Sequence, residues 1–280
     1  MAELTWGRRF LMCPPEYFDV SYSINHWMDT EVKVDRDKAF EQWQDLAGTL
    51  RAAGAVVNEV PPQPDLPDFV FTANAGIIDN GGFLPAHMRF SQRRPEVDHV
   101  RRWMSANSWE VFEPPPAVQE GAGDALPFAG GLVAGYGMRS ELSAYDAITE
   151  RTGWTVHPFQ LTDPRYYHID IAFCPLDSRT ALIVPEAFTP NDRRRLARLV
   201  PDAVLATTEE GSMFVANSIV VGRTVVMPAC TPRLAKSLER RGFDIAVCDV
   251  SEFLKAGGGC RCLTLALDVT LSSDSDEVAA

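Results

Sequence analysis

No stretch of this chain approaches the roughly 18 consecutive apolar residues that a membrane-crossing helix requires, so no membrane partner is expected. The first residues, Met1 to Arg9, lack the apolar core of a secretory signal, which predicts a cytoplasmic protein with reduced thiols. Its six cysteines are scattered and no two stand at the CxxC spacing of a zinc site. Positive charge is also short. With 26 Lys and Arg against 38 Asp and Glu, the net charge of −12 argues against a nucleic-acid partner. The one basic run, Arg193-Arg194-Arg195, falls in a helical pattern where a solvated face accounts for it.

What is present is ample: 280 residues with 46% hydrophobic content can bury a large core without staples. One pattern recurs five times, an amphipathic helix, a stop signal and a short β-rich segment. Helices are predicted at about 37–53, 94–106, 139–152, 190–200 and 231–241, each stopped by Gly54, Asn107, Gly153, Pro201-Asp202 or Gly242. Thr189-Pro190 and Thr231-Pro232 supply hydroxyl N-caps followed by proline in the first turn. Longer β-type stretches lie between them at 68–79, 130–136, 166–173, 180–184 and 218–227. The unit is ββαβ-like, and a period of about 40–55 residues along the chain predicts a ring of equivalent units. In such a ring one end gathers loops from every unit around a central cavity. The expected organisation is a single catalytic domain over 1–270 and a short acidic tail over 271–280.

Polar residues among glycines, next to apolar strands, are the functional candidates. Gly257-Gly258-Gly259 feeds Cys260 and Cys262, and glycines allow close backbone approach, so a thiol just beyond them either stands at a cavity rim or simply packs. Glu120-Gly121-Ala122-Gly123-Asp124 sets two carboxylates around two glycines. That segment is either a turn in which Asp124 caps backbone amides or a surface for a planar cation, whose forked N–H donors carboxylates match. His168 and Asp170 are expected on one face of a strand, where side chains at i and i+2 point the same way and a carboxylate orients an imidazole for acid–base work. Asn74 is expected at the end of the strand containing Phe71-Thr72, as a donor or acceptor or in an Asx-turn. Arg89 and Arg139 follow apolar segments and are either surface residues or grips for a carboxylate.

Taken in order, Glu120-Gly121-Ala122-Gly123-Asp124, His168-Ile169-Asp170 and Gly257-Gly258-Gly259 with Cys262 resemble the guanidine-modifying, or pentein, superfamily. Phe10 to Cys13, Asp19-Val20, Ile24-Asn25 and Trp27-Met28 are similar to the start of cyanobacterial-type arginine dihydrolases. The resemblance covers essentially the whole chain. It implies an α/β fold, a five-bladed propeller of ββαβ repeats, and hydrolysis of a guanidinium through a covalent thiouronium. It assigns Cys262 as nucleophile, His168 as acid–base and Glu120 as a catalytic carboxylate. Asp170, Asn74, Asn25 and Asp124 are expected to contact substrate, with Arg89 and Arg139 on its carboxylate. Cys260 is expected to be a bystander. No metal or organic cofactor is implied, and the expected partner is a guanidino amino acid, with homo-oligomerisation left open. Asn74 stands where deiminases and dimethylarginine hydrolases usually carry Asp, which together with Asp170 leans the reading to arginine dihydrolase, giving ornithine, ammonia and CO2. Dimethylarginine hydrolysis, amidino transfer and a silent guanidine-binding protein are the alternatives.

Overall fold

The computed structural model describes residues 3–271, so the acidic tail expected from 271 onward lies, beyond its first residue, outside the described residues. Five separate three-stranded sheets are formed. In four of them an antiparallel hairpin is followed by a helix and a third strand that returns parallel to the second, which is the ββαβ unit. The second sheet shows it: Gly76–Asp79 pairs antiparallel with Gly82–Pro85, the Arg94–Ala106 helix crosses, and Glu110–Val111 pairs parallel. Ala125–Phe128, Phe173–Pro175 and Ile219–Val221 open the corresponding sheets further along.

The remaining sheet closes the ring. Its first strand, Leu265–Ala266, comes from the end of the chain and pairs antiparallel with Arg9–Met12, which pairs parallel with Val56–Glu59 after the Arg36–Ala52 helix. That helix is straightforward to rationalise. Asp35 accepts the Lys38 N–H as N-cap, and Ala39, Trp43, Leu46, Ala47 and Leu50 recur at three- and four-residue spacing to form the buried face. Thr189 and Thr231 cap their helices as expected, accepting from the Asp192 and Leu234 amides. Gly54, Gly153 and Gly242 all take positive φ at helix ends. Asn107 does not; the left-handed residue there is Ser108, at φ 64. Among the described residues no helix is long and apolar enough to cross a membrane.

Two of the β-type stretches are only partly strands. Residues 67–75 form two consecutive 3-10 turns before the Gly76–Asp79 strand, and Ile169–Ile171 is a 3-10 turn before Phe173–Pro175. Both are fully buried runs, for which periodicity does not separate strand from turn. Their backbone groups close locally, as Ala172 N donating to Ile169 O at 2.9 Å illustrates. These turns matter because each precedes the first strand of its sheet, at the centre of the ring.

Candidate active site

Five turns, one before the first strand of each sheet, carry Asn74, Glu120, His168 with Asp170, Asn217, and Cys262; the first three are 3-10 turns. Their side chains are joined by hydrogen bonds across the ring. All are buried: Cys262 is 2% exposed, His168 1% and Glu120 not at all.

The glycines explain how the turns come so close. Gly121 has φ +63, and a Cβ there would lie 2.6 Å from the Asn74 carbonyl carbon, while one at Gly123 would lie 2.2 Å from Asn74 Nδ2. In the triple glycine only Gly257 needs positive φ; Gly258 is required by the Phe71 ring, 2.2 Å from its hypothetical Cβ, and Gly259 by Asn217 Oδ1 at 2.8 Å. Any side chain at these positions would push the turns apart.

One half of the site is built on Glu120. Its Oε2 accepts from Arg139 Nη1 at 2.8 Å and faces His168 Nε2 at 2.7 Å, and its Oε1 accepts the Arg89 amide at 3.0 Å. Burial alone would raise the Glu120 pKa, but the Arg139 guanidinium and His168 outweigh it and hold the carboxyl well below the usual range. The proton on His168 can be assigned from its neighbours. Arg93 Nη1, which only donates, points at Asn74 Oδ1 at 3.0 Å, so Asn74 Nδ2 faces the Glu120 carbonyl at 3.1 Å and His168 Nδ1 at 3.5 Å. An imidazole nitrogen opposite a donor is an acceptor. The neutral ring is therefore protonated on Nε2, toward Glu120, and bare on Nδ1.

The other half is built on Cys262. Its Sγ lies 3.3 Å from Asp170 Oδ2 and accepts from Asn217 Nδ2 at 3.1 Å. Burial, with the negative charge of Asp170 added, pushes the Cys262 thiol well above its ordinary value. Burial also raises Asp170 to about 7, opposed by the Cys262 and Arg261 contacts. Its Oδ1 is buried without a hydrogen-bond partner. Two anions are thus disfavoured here, and a cation entering the space would favour both at once.

These contacts correct one expectation and show where the other expected residues lie. His168 and Asp170 do not share a strand face: the 3-10 turn sends Asp170 to Cys262, and the carboxylate beside the imidazole is Glu120. Asp124, expected at the substrate, has Oδ1 accepting from Ile169 N at 3.0 Å and Oδ2 from Ser140 Oγ at 2.7 Å, so it ties three turns together. Arg89 reaches the site through its backbone; its side chain, 38% exposed, donates to Arg139 O and leans toward Glu141. Arg139 is buried against Glu120 and the Ile24 carbonyl, its guanidinium flanked by the Phe90 and Tyr167 rings at 4.7 and 4.8 Å. Asn25 donates to Ala256 O and accepts from Trp27 N. Cys260 is buried in the core.

Three contributors were not singled out. Arg93 is buried, clamped by Glu96 at 2.8 Å, and aims at Asn74. Arg261 lies under Asp170 and against Trp6, 5.0 Å from its ring. Asn217 carries a signal in the sequence: Phe214-Val215-Ala216-Asn217 repeats the Phe-x-Ala-Asn of Phe71-Thr72-Ala73-Asn74, at the same place in another unit.

The segment 22–28 bridges residues from several units of the ring. Tyr22 donates to Asp68, Arg139 to Ile24 O, Asn25 to Ala256 O and Trp27 Nε1 to Arg165 O, while the Trp27 ring meets Phe214 at 4.8 Å.

Residues 15–269 match the family model described as N,N dimethylarginine dimethylhydrolase, eukaryotic. Among curated relatives, the bifunctional arginine dihydrolase/ornithine cyclodeaminase AgrE of Nostoc sp. is 39% identical over 263 residues, 92% of this chain but 37% of AgrE. The dimethylarginine dimethylaminohydrolase of Mycobacterium tuberculosis is 36% identical over 258 residues, 92% of this chain and 85% of that enzyme. The chain thus spans little more than a third of the bifunctional relative and most of the second one. Among solved structures, the product-bound N-terminal domain of ArgZ, a cyanobacterial arginine dihydrolase, aligns with TM-score 0.90 and 34% identity, covering 94% of this chain and 98% of that domain.

Proposed function

Because the chain belongs to the dimethylarginine dimethylaminohydrolase family of the guanidine-modifying superfamily, we propose that it is a cysteine-dependent guanidinium hydrolase acting on L-arginine as a dihydrolase. Cys262, as thiolate, adds to the guanidinium carbon, and the C–N bond to one terminal nitrogen breaks as that nitrogen leaves protonated as ammonia. The product is a thiouronium on Sγ. Water then adds to the same carbon and the C–S bond breaks, returning the electron pair to sulfur. A second round on the resulting ureido group releases another ammonia and CO2 and leaves ornithine, consuming two waters in all.

The substrate's positive charge is what the site needs to start. Both Cys262 and Asp170 are protonation-prone in the closed site, and a guanidinium beside them favours the thiolate and the carboxylate together. The unpartnered Asp170 Oδ1 is an acceptor for a guanidinium N–H. His168 takes the acid–base role, with Glu120, held ionised by Arg139, stabilising the imidazolium whenever it forms. Since Cys262 is 2% exposed, admission of an amino acid requires segment 22–28 to part from the ring. Six free cysteines suit a reducing compartment, so the cytoplasmic assignment is kept with this reading.

The observation that carries the dihydrolase reading is the orientation of Asn74. Arg93 fixes its carbonyl, so a neutral N–H donor faces inward where a carboxylate would offer only acceptors. A donor can hold the oxygen of a ureido intermediate for the second cycle; a carboxylate would repel it. The second reading, hydrolysis of dimethylarginine to citrulline and dimethylamine, is favoured by the family match over residues 15–269. Purified protein is to be incubated with arginine and with dimethylarginine, with and without an acceptor amine, and the products resolved. Ornithine from arginine is expected, and none from a Cys262→Ser variant. Citrulline and dimethylamine as the dominant products would replace the first reading with the second, and an amidino group appearing on the acceptor would replace both.

A further inference from the structure

Asn217 occupies the fourth turn of the ring and is completely buried. Its Oδ1 gathers three backbone N–H groups of the turn that carries Cys262: Gly259 at 3.1 Å, Arg261 at 3.1 Å and Cys262 at 3.3 Å. Backbone amides only donate, so the atom they surround must be the oxygen, and the amide orientation is fixed without ambiguity. Nδ2 then necessarily faces the other way. There it donates to Asp170 O at 3.2 Å and to Cys262 Sγ at 3.1 Å. A single side chain therefore sets the path of the Gly259–Cys262 backbone and presents an N–H to the sulfur at its end.

We infer that Asn217 is the positioning residue of the nucleophile, holding the Cys262 turn through its oxygen and stabilising the Cys262 thiolate through its N–H. The inference rests on Cys262 being the nucleophile and deepens that reading. A donor beside sulfur matters here because burial and the Asp170 carboxylate, 3.3 Å away, both act against ionisation. A hydrogen bond to the charged form favours it without substrate, and Asn217 supplies one at 3.1 Å from the sulfur. The need for Gly at position 259 follows from the same contact, since a Cβ there would lie 2.8 Å from Asn217 Oδ1 and push the backbone N–H groups off it.

The alternative is that Asn217 only braces the turn, and the two can be told apart with the full-length protein. In Asn217→Asp the shape and the oxygen under the three amides are kept while, once ionised, the group offers sulfur no donor. In Asn217→Ser the long amide is removed altogether. The rate of iodoacetamide alkylation at Cys262, followed by peptide mass spectrometry between about pH 6 and 10, reads thiolate formation directly. We expect alkylation at fixed pH across this range to be at least about tenfold slower in both variants, as a rise of about one pH unit in the thiol would give. Turnover of arginine should fall at least about tenfold in kcat with little change in KM, as befits an interaction with the reacting sulfur. A wild-type alkylation profile in an Asn217→Asp protein with a native circular dichroism spectrum overturns the inference. Should Cys262→Ser instead retain turnover, the nucleophile assignment fails, while the alkylation profiles still decide whether Asn217 governs that thiol.

Discussion

Replacing Glu120 by Gln removes one charge and almost no volume, yet the contacts around it predict a large loss of stability. The carboxylate satisfies three N–H groups, from Arg89, Arg139 and His168, with both oxygens in use. A glutamine has one oxygen. If that oxygen remains with Arg139 and His168, its NH2 faces the Arg89 amide, donor against donor; if it flips, two donors are opposed instead. Leaving one buried donor unsatisfied costs about 1–3 kcal/mol. Arg139, 3% exposed, also loses its counter-charge, and breaking a buried pair from one side costs about 3–5 kcal/mol. The two figures overlap, so a total near 4 kcal/mol is expected, equivalent to a Tm lower by roughly 8–16 °C for a chain of this size. Urea and thermal unfolding followed by circular dichroism at pH 7 measure it, with unchanged m confirming that only stability moved. The pH dependence adds a second check. Glu120 is held ionised far below the ordinary range, so its contribution is fully present above the unfolded glutamate pKa and lost as pH falls toward the folded one. The gap between wild type and variant should accordingly stay constant from about pH 5 to 8 and narrow only below about pH 4.5. A gap under about 1 kcal/mol at pH 7, or one that widens in acid, refutes the reasoning.

Asp170 should behave in the opposite sense. Its carboxyl is raised to about 7, so the native state keeps a proton that the unfolded chain releases, and Asp170 contributes its own decline in stability as pH rises from about 4 toward 7, beside those of Glu96 and Asp124. Asp170→Asn, which does not titrate, should lose that decline; denaturation midpoints across this range that run parallel to wild type would exclude Asp170 as its source. Gly258→Ala should destabilise by about 1–3 kcal/mol because the new methyl must displace the Phe71 ring, and an equilibrium unfolding curve unchanged from wild type would mean the turn is looser than described.

The ring itself was legible from residues alone, because helix periodicity, capping threonines and terminal glycines are local signals that the structure uses as such. Gly54, Gly153 and Gly242 end helices in the left-handed region, and Thr189 and Thr231 begin them. The site was legible as a set of residues but not as a set of partnerships. That His168 pairs with Glu120 rather than with Asp170 depends on a 3-10 turn inside a run of fully buried residues, where no alternation marks the backbone path. Arg89 and Arg93 are four residues apart and equally basic; only the fold decides that Arg93 turns inward to Glu96 and Asn74 while Arg89 stays at the edge. Asn217 was hidden by its chemistry, since a lone amide carries no sign of what it will touch, although the Phe-x-Ala-Asn pattern it shares with Asn74 marked both as occupants of one structural position.

The sheet that joins Leu265–Ala266 to Arg9–Met12 also fixes the order in which the catalytic machinery is assembled during synthesis. Chains emerge from the ribosome N-terminus first, so the turns bearing Asn74, Glu120, His168 and Asn217 are all available before Cys262 is made. The thiol arrives three residues ahead of the strand that seals the ring, and the two events are inseparable. A chain cut short before residue 262 lacks both its closure and the sulfur that the proposed reaction requires.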